Sequence, residues 1–531
     1  MQNPQFSFST FKTSFVPDLS ASLVVFLVAL PLCMGIAMAS GLPPASGLVT
    51  GIIGGVIVGF LAGAPLQVSG PAAGLAVIVF ELVHDHGILA LGPVLMIAGA
   101  IQLVAGLLKT GRWFRAISPE VIHGMLAGIG ILIVIQQFHV VLDRTPEHSG
   151  LANIGAMWSA VFGGLFPLNG SKEEMAALLG VITLAIILLW EKFRPASLKL
   201  LPGALLGISA ATAIAQIFHF PVNRVVIPTS LGAMIHLPSL TGFGDMSWMT
   251  IVGSAAAIAF IASAETLLSA SALDKMQSIS KTNYDRELAA QGVGNLLCGF
   301  LGALPMTGVI VRSSTNVLAG AQTRRSTILH GTWILLAVVA LPFVMNMIPT
   351  ASLAAVLVYV GVKLVRPADV RKLARFGKVP VIIYFASLFT IVTTNLLTGV
   401  IVGVGLSLLK LLYTITHLET MVVEDSGTSH LHLSGIGTFL GIPRIAGALD
   451  GISPRGKIVV HSDGLRYIDH SCIELIEDWV EQREKSGQEV DVAFERLHLR
   501  FQTKVSQSIV SAETHPHRQP KAELISVTSS V

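Results

Sequence analysis

Long apolar stretches separated by short polar loops recur along the chain from about residue 19 to residue 418. Each is close to the length of about 20 residues that an α-helix needs to cross a bilayer core. The pattern predicts fourteen membrane segments, at residues 19–41, 46–63, 70–86, 92–109, 117–139, 173–191, 198–220, 249–274, 286–301, 306–320, 327–347, 351–366, 379–396 and 398–418. The fold class is therefore an all-α polytopic membrane protein.

The third and tenth segments are short and share one pattern. Residues 66–77 read LQVSGPAAGLAV and residues 304–317 read LPMTGVIVRSSTNV, so a small hydroxyl residue precedes glycine in each, as Ser69-Gly70 and Thr307-Gly308. Two Gly/Pro-interrupted hydrophobic segments at matching places in two halves indicate a transporter's binding site near the bilayer midplane. Two such half-helices would direct two positive N-terminal dipoles at one point, which suits an anion.

Two landmarks indicate that the second half of the membrane region repeats the first. Ser69 and Thr307 are 238 residues apart, and Pro31, which we expect to interrupt the first span, lies at the depth of Glu265 in the eighth, an offset of 234. Similar offsets predict an internal repeat of seven spans, over residues 18–221 and 249–420. An odd number of spans inverts the second copy relative to the first.

Lys and Arg set the predicted orientation. Loops that follow even-numbered spans hold 17 of them, whereas loops that follow odd-numbered spans hold only Arg144, Lys172 and Arg224. The positive-inside rule then places both termini in the cytoplasm, in a protein of the inner (plasma) membrane. Residues 1–17 carry no cleavable signal pattern and are predicted to be a cytoplasmic segment before a transporter domain at 18–420.

The pattern changes after residue 420. Between 428 and 502, short β-like runs alternate with amphipathic helices at 442–449 and 472–485, which predicts a small cytoplasmic α/β domain. This domain is expected to support dimerisation or regulation without transport chemistry of its own. Residues 503–531 are polar and rich in Ser, Thr and His, and a disordered tail is expected there.

The composition excludes several functions. Of 531 residues, 52% are hydrophobic and 12% are charged, and the net charge is only +3, so membrane residence is expected and nucleic-acid binding is not. Cys33, Cys298 and Cys472 lie far apart and are interpreted as packing thiols without a disulfide or a metal site. No nucleophile–base pair and no nucleotide loop stands out, so neither an enzyme nor a cofactor is expected.

Two ionisable residues inside apolar segments are candidates for function. A carboxylate at the bilayer centre is costly unless it is paired or protonated, so Glu265 is a candidate for function. We predict that Glu265 binds the coupling ion together with Ser269, which lies one turn further on the same helix face. The alternative is a structural pairing with a neighbouring helix. Arg312 would supply a positive field for an anion, or it would pair with Glu265 and only balance its charge; the two interpretations can coexist.

Backbone and hydroxyl donors at the two interrupted segments complete the predicted anion site. We assign substrate binding to Ser69, Gly70, Thr307, Gly308, Val309, Arg312 and Gln67. A hydroxyl in an apolar helix more often bonds its own backbone, and that alternative stays open. Among the other polar residues, His123 and His139 are expected to be core histidines rather than a proton relay, and residues 84–86 a solvated helix end.

These motifs resemble those of the sulfate permease (SulP) family of anion transporters. The resemblance rests on VSGP at 68–71, SAETLLS at 263–269 and PMTGVIVRSS at 305–314, and YIDHS at 467–471 resembles the STAS domain that members carry. It covers nearly the whole chain. It implies a seven-plus-seven inverted repeat with a core bundle and a gate bundle, an anion site between the third and tenth helices, and a homodimer.

Two departures from the family pattern bear on regulation and coupling. STAS domains of the anti-sigma-antagonist kind have a phosphorylatable serine directly after aspartate, whereas His470 follows Asp469 here and Ser471 comes next. This argues against phosphoregulation at Ser471. The eighth span has Glu265 where sodium-coupled bicarbonate carriers of the family tend to have aspartate, which favours a proton over sodium as the coupling ion.

The sequence therefore predicts a secondary active transporter of small inorganic anions, with sulfate and bicarbonate leading and a proton favoured over sodium in symport. Three alternatives remain: an anion channel or exchanger, a carrier of organic anions such as dicarboxylates, and a nucleobase carrier of the same repeat architecture. The expected partners are the anion, H⁺ or Na⁺, the lipid bilayer and a second copy of the chain.

Overall fold

A computed structural model describes residues 8–111, 118–147, 149–165, 170–195, 198, 201–228, 230–235, 237, 247–277, 281–425, 427–453, 456–493 and 497. The chain divides into two compact units, Met1–Gly405 and Leu406–Val531. The first unit is helical apart from two short strands, and the second contains a four-stranded sheet.

The elements of the first half of the membrane region follow the apolar segments in order. They are α1 (Phe8–Ala39), α2 (Pro44–Ile52), α3 (Gly59–Leu61), β1 (Ser69–Pro71), α4 (Ala73–His86), α5 (Leu91–Leu107), α6 (Pro119–Val141), α7 (Gly150–Leu165), α8 (Lys172–Phe193) and α9 (Gly203–Ile217). A π-helical stretch, Ile53–Val58, joins α2 to α3, so these form one continuous helix.

The second half repeats this order. It contains α10 (Trp248–Met276), α11 (Tyr284–Phe300), β2 (Met306–Gly308), α12 (Ile310–Leu318), α13 (Arg325–Ala340), α14 (Pro342–Met345), α15 (Thr350–Leu364), α16 (Pro367–Ala374), α17 (Lys378–Thr393) and α18 (Leu396–Thr416). Within the described residues, eight helices are long and apolar enough to cross a membrane by length and composition.

The fourteen predicted segments correspond to these elements one by one, and the fold class is confirmed. The third and tenth segments are each a three-residue strand followed by a short helix, as expected of interrupted spans. Two helices were not predicted. These are α7, between the fifth and sixth segments, and the charged α16, between the twelfth and thirteenth.

The prediction that Pro31 interrupts the first span is wrong. The helix α1 continues through both Pro17 and Pro31 to Ala39. Proline removes one backbone donor and crowds the preceding turn, but this part of α1 is packed tightly, with Cys33 and Met34 fully buried. Packing therefore holds the helix together, and the inverted repeat rests on the strand pair rather than on this landmark.

The membrane helices form two groups. In the first group, α5 packs along α10 and α11, and α1 packs along α2 and α13. In the second group, α6 packs along α15 and α17, and α8 packs on α9 and α15. The first four spans of each half thus belong to one bundle, and later spans of both halves form the other, which we name the core bundle and the gate bundle.

The second unit is a small α/β domain, as predicted. Its sheet has the order β3 (Leu418–Asp425), β4 (Thr428–Gly437), β5 (Lys457–Ile468) and β6 (Val490–Val492), with β3–β4 antiparallel and the other two pairs parallel. Two helices, α19 (Ile442–Asp450) and α20 (His470–Lys485), supply apolar side chains to a core shared with the sheet. The expected tail at 503–531 lies outside the described residues.

Candidate functional site

The two short strands pair with each other at the centre of the core bundle. They are antiparallel, with Ser69 opposite Gly308 and Gly70 opposite Thr307. The ladder continues one step further, because the Val309 N–H donates to the carbonyl of Val68 at 2.9 Å. Equivalent segments of an inverted repeat are expected to meet in this antiparallel way.

A helix begins immediately after each strand, and neither helix start is capped by a side chain. The N-cap residues are Ala72 for α4 and Val309 for α12, and neither makes a side-chain cap hydrogen bond. The first N–H groups of a helix have no carbonyl partner within their own helix, and they carry the positive end of its dipole. Two such starts beside one strand pair offer donors and positive potential to an anion.

The register decides which side chains lie together. Cross-strand partners place their side chains on the same face of a sheet, and a Cβ on Gly70 would collide with the Nη1 atom of Arg312. Gly70, Thr307 and Arg312 therefore share one face. Ser69 lies on the opposite face, where its hydroxyl accepts a hydrogen bond from Gln291 at 2.6 Å. The structure thus brings Thr307, but not Ser69, to the side of Arg312.

Arg312 is fully buried, and much of its hydrogen-bonding capacity is unused. Its Nη1 group donates to the Sγ atom of Cys33 at 3.4 Å, while Nε and Nη2 have no partner. Within the described part of the chain, no ion pair joins Arg312 to Glu265. Since an uncompensated buried charge is costly, this arrangement favours the interpretation of Arg312 as an attractor of anions over the one as a partner of Glu265.

Several predicted donors are already engaged in holding the strand pair. The Gly308 N–H donates to the Thr266 hydroxyl at 3.0 Å, and the amide of Gln67 donates to the Thr266 carbonyl at 3.2 Å. The Val309 N–H is bonded to Val68. These three groups fasten the strand pair internally and to α10, whereas the buried hydroxyl oxygen of Thr307 has no partner.

A cavity of about 320 Å³ separates part of the core bundle from the gate bundle. Glu265, Ser269 and Ile310 line it from the core side. From the gate side it is lined by Arg366, Tyr384, His123 and Asp369, and the Nδ1 atom of His123 lies 3.3 Å from a carboxylate oxygen of Asp369. Ser69, Thr307 and Arg312 are not among its lining residues.

Glu265 lies between this cavity and the start of α4. Its Oε2 atom has no hydrogen-bond partner. A Cβ on Gly74, in the first turn of α4, would come within 2.8 Å of that oxygen. Ser269 is one turn further along α10 and lines the same cavity, as the spacing predicts. The carboxyl is thus placed where its charge acts on one of the two helix starts.

The histidines fall into two kinds. His139 is buried, with Nδ1 3.1 Å from the Ile135 carbonyl, in agreement with the expectation of a core histidine. His123 differs from that expectation, because it forms part of the cavity wall and pairs with Asp369. Residues 84–86 are exposed at the end of α4, as predicted. The described residues contain no cluster of three or more side chains arranged to hold a metal ion.

Sequence reasoning missed a stripe of polar residues on α11. Glu287, Gln291 and Asn295 are all fully buried and lie four residues apart, so they share one face of an otherwise apolar helix. Their spacing was the signal that could have found them. Each bonds to one of the interrupted segments or to the turn before it.

Two inverted repeats, with two helix starts that meet at a strand pair in the membrane region, define the class of inverted-repeat membrane transporters. The sulfate permease family model matches residues 15–387, and the chain belongs to this family. The resemblance inferred from the motifs is therefore confirmed. The family consists of transporters, so the prediction that the chain is not an enzyme is confirmed as well.

Individual relatives extend the match. The chain is 30% identical over 399 residues to the putative sulfate transporter YvdB of Bacillus subtilis, covering 74% of this chain and 73% of that protein. It is 25% identical over 422 residues to the bicarbonate transporter BicA of Picosynechococcus, covering 77% and 72%. The structure of SLC26A9 superposes with a TM-score of 0.77 at 16% identity, covers 95% of this chain and 88% of that one, and shows the shared fold.

Proposed function

We propose that the protein is a secondary active transporter of small inorganic anions of the sulfate and bicarbonate class. The observation that carries the proposal is the pair of uncapped helix starts beside Arg312, whose Nε and Nη2 groups have no partner. Each helix dipole contributes about 0.3–2 kcal/mol to anion binding, so such a site releases its ion readily. The names of the relatives support the choice of sulfate and bicarbonate.

We propose further that transport is coupled to a cation through Glu265 and follows alternating access. An ionised carboxyl against the start of α4 repels an anion there, whereas a protonated one admits it. The Oε2 atom of Glu265 has no hydrogen-bond partner, and Ser269 is the nearby oxygen-bearing residue of α10 that lines the same cavity. The core side of the cavity thus offers one carboxyl and one hydroxyl, a small ligand set for a metal cation, which favours the proton over sodium.

The proposal also covers the location of the protein and its assembly. The charge of the loops supports a location in the inner (plasma) membrane with both termini in the cytoplasm. We propose a homodimer in which the STAS-like domain at 428–502 supports assembly, with the transporter domain at 18–420.

Flux measurements in proteoliposomes test the class and the substrate. Uptake of labelled sulfate or bicarbonate should saturate and should depend on an ion gradient, and a series of sulfate, bicarbonate, chloride and succinate competitors should rank the anions. Unitary currents would instead identify a channel, and competition by nucleobases would identify an organic-solute carrier. If none of the four anions competes, the anion site has been misidentified.

Glu265→Gln tests the coupling, since glutamine resembles the protonated carboxyl. The variant should still bind and exchange the anion, but accumulation driven by a pH gradient should disappear. Glu81→Gln is the matched control, because Glu81 lies on α4 outside the cavity. Full pH-driven accumulation in Glu265→Gln would remove this residue from the mechanism, and sodium-dependent uptake at fixed pH in the wild type would reverse the choice of ion.

A further inference from the structure

The polar stripe of α11 makes its bonds where the predicted anion site is built. Buried polar groups in a membrane segment are costly unless they are hydrogen-bonded, and Glu287, Gln291 and Asn295 are all fully buried. Gln291 and Asn295 bond to the two interrupted segments, and Glu287 bonds to the turn before the first of them. The polar stripe therefore does more than pack the core bundle, because it hydrogen-bonds the segments that build the predicted anion site.

Asn295 holds β2 through the backbone of Met306. Its Oδ1 atom accepts from the Met306 N–H at 2.8 Å, and its Nδ2 group donates to the Met306 carbonyl at 3.2 Å. The side-chain amide thus bonds to this residue as a neighbouring strand would. The Oε1 atom of Gln102 accepts from the same Nδ2 group at 2.6 Å, and so fixes the orientation of the Asn295 amide.

Gln291 holds β1 in a similar way. Its Nε2 group donates both to the Ser69 hydroxyl at 2.6 Å and to the Oε1 atom of Glu287 at 3.0 Å. The same NH₂ group thus bonds to both Ser69 and Glu287, so Glu287 supports the amide of Gln291 at a second point. The other carboxylate oxygen of Glu287 accepts from the Ala64 N–H at 2.9 Å, in the turn that leads into β1.

From these contacts we propose that Gln291 and Asn295 are positioning residues for the anion site. One helix, α11, holds β1 through Gln291 and β2 through Asn295, and thereby sets the separation of the starts of α4 and α12. The influence of a helix dipole falls off within its first turn, so two helix starts bind one anion well only at the right spacing. The inference rests on the proposed function, because it concerns the affinity of the same anion site.

The equivalent helix of the first repeat, α2, contacts the strand pair differently from α11. Thr50 of α2 lies 237 residues before Glu287, and its hydroxyl bonds the Leu304 N–H at 2.9 Å and the Leu304 carbonyl at 3.0 Å, just before β2. The second span of each repeat thus bonds the approach to the other repeat's strand.

The correspondence ends at that point. At the same offset, Gln291 and Asn295 are matched in the first repeat by Gly54 and Val58, which have no polar side chain. A Cβ on Gly54 would come within 2.5 Å of the Ser69 carbonyl oxygen, so this side holds the strands by close packing. Of the second spans of the two repeats, α11 is thus the one whose side chains hydrogen-bond to the strand pair itself.

The test uses the full-length chain in proteoliposomes. Asn295→Leu removes the bonds to β2, and Gln291→Met removes the bond to β1 with little change in volume and leaves Glu287 bonded to Ala64. Gln137→Leu is the matched control: this amide is also buried, but it lies on α6 in the gate bundle. KM and kcat for exchange of labelled sulfate and bicarbonate at equal pH on both sides, and the unfolding temperature, are measured for each protein.

We expect KM to rise by about 2- to 30-fold in each α11 variant, the range that the loss of one helix-dipole contribution spans, with a smaller change in kcat. The control should keep the wild-type KM. Folded variants with the wild-type KM would overturn the inference, as would an equal rise in Gln137→Leu. Failure of both variants to fold beside a folded control would also contradict it, because these residues would then act on stability rather than on spacing. Absence of saturable uptake in the wild type would refute the proposed function instead.

Discussion

Gly74→Ala displaces the carboxyl of Glu265 without changing the carboxyl itself. Gly74 lies in the first turn of α4, and a Cβ there would be 2.8 Å from Oε2, 3.4 Å from Cδ and 3.5 Å from Oε1 of Glu265. Ordinary contacts of a Cβ atom begin near 3.4 Å. The Oε2 atom must therefore withdraw by about 0.6 Å, or the start of α4 must move by a similar distance.

The size of the effect follows from two opposing terms. Inserting a methyl group into a packed site costs about 1–3 kcal/mol, and replacing glycine by alanine within a helix returns about 0.5–1 kcal/mol. The added methyl group contacts the carboxyl that is proposed to carry the coupling ion. It therefore destabilises the transport states in which Glu265 must keep its position. The difference between the two terms, about 1–2 kcal/mol, corresponds to a change of about 5- to 30-fold.

The assay compares uptake driven by a pH gradient with exchange at equal pH in proteoliposomes. We expect Gly74→Ala to lower the kcat/KM of driven uptake by an amount within that range, while exchange changes less. Gly253→Ala is the control, since Gly253 lies on α10 itself with no atom within 4 Å of an added Cβ. Driven uptake at the wild-type level in a folded Gly74→Ala protein would refute the placement of Glu265 in the coupling step.

Three further predictions concern stability, the second unit and thiol chemistry. Thr266→Val leaves the buried Gly308 N–H without its acceptor and should lower the free energy of unfolding by about 1–3 kcal/mol; Thr266→Ser should restore it in thermal unfolding. Deletion of residues 428–531 should reduce assembly or expression, measured by size-exclusion chromatography, and leave the ranking of competing anions unchanged. Burial, with Asp469 nearby, raises the pKa of Cys472 to about 12. This thiol should therefore stay protonated at neutral pH, and mass spectrometry should find maleimide on it only after denaturation.

The membrane segments were predictable because each satisfies its own backbone. In a bilayer the hydrogen bonds of a span are made within that span, so apolar length alone locates it, and glycine and proline locate the interrupted ones. Pro31 shows the limit of such local reasoning. The residue weakens a helix locally, yet neighbours from α2 and α13, distant in sequence in the second case, keep α1 continuous.

The residues of the site were predictable, but the side of the strand pair on which each side chain lies was not. Motifs placed Ser69 and Thr307 at equivalent positions of the two halves, and symmetry suggested equivalent roles. The register separates them, because alternate residues of a strand face opposite sides. With Gly70 opposite Thr307, the hydroxyl of Thr307 lies on the side of Arg312, and that of Ser69 faces Gln291. A shift of one residue would exchange these roles.

The gate side of the cavity depends on contacts that no local pattern reveals. His123 and Asp369 are 246 residues apart in the chain, yet their side chains meet at 3.3 Å in the cavity wall. A single histidine in an apolar segment is an ambiguous signal until its partner is known. The stripe on α11 is a different case, since its four-residue spacing is visible in the sequence and only its bonding partners needed the structure.

The distribution of bonds limits how access to the site can change. Bonds between the repeats fasten the strand pair: the Val68 N–H donates to the Ser313 hydroxyl at 2.9 Å, and the amide of Asn316 donates to the Leu66 carbonyl at 3.0 Å. On the gate side of the cavity, His123 of α6 contacts Asp369 of α16. The cavity lies between this part of the gate side and the core side that carries Glu265. If access alternates as proposed, the gate bundle moves relative to a strand pair that stays intact. Separation of the two strands would instead break buried hydrogen bonds, at a cost of about 1–3 kcal/mol for each unpaired group.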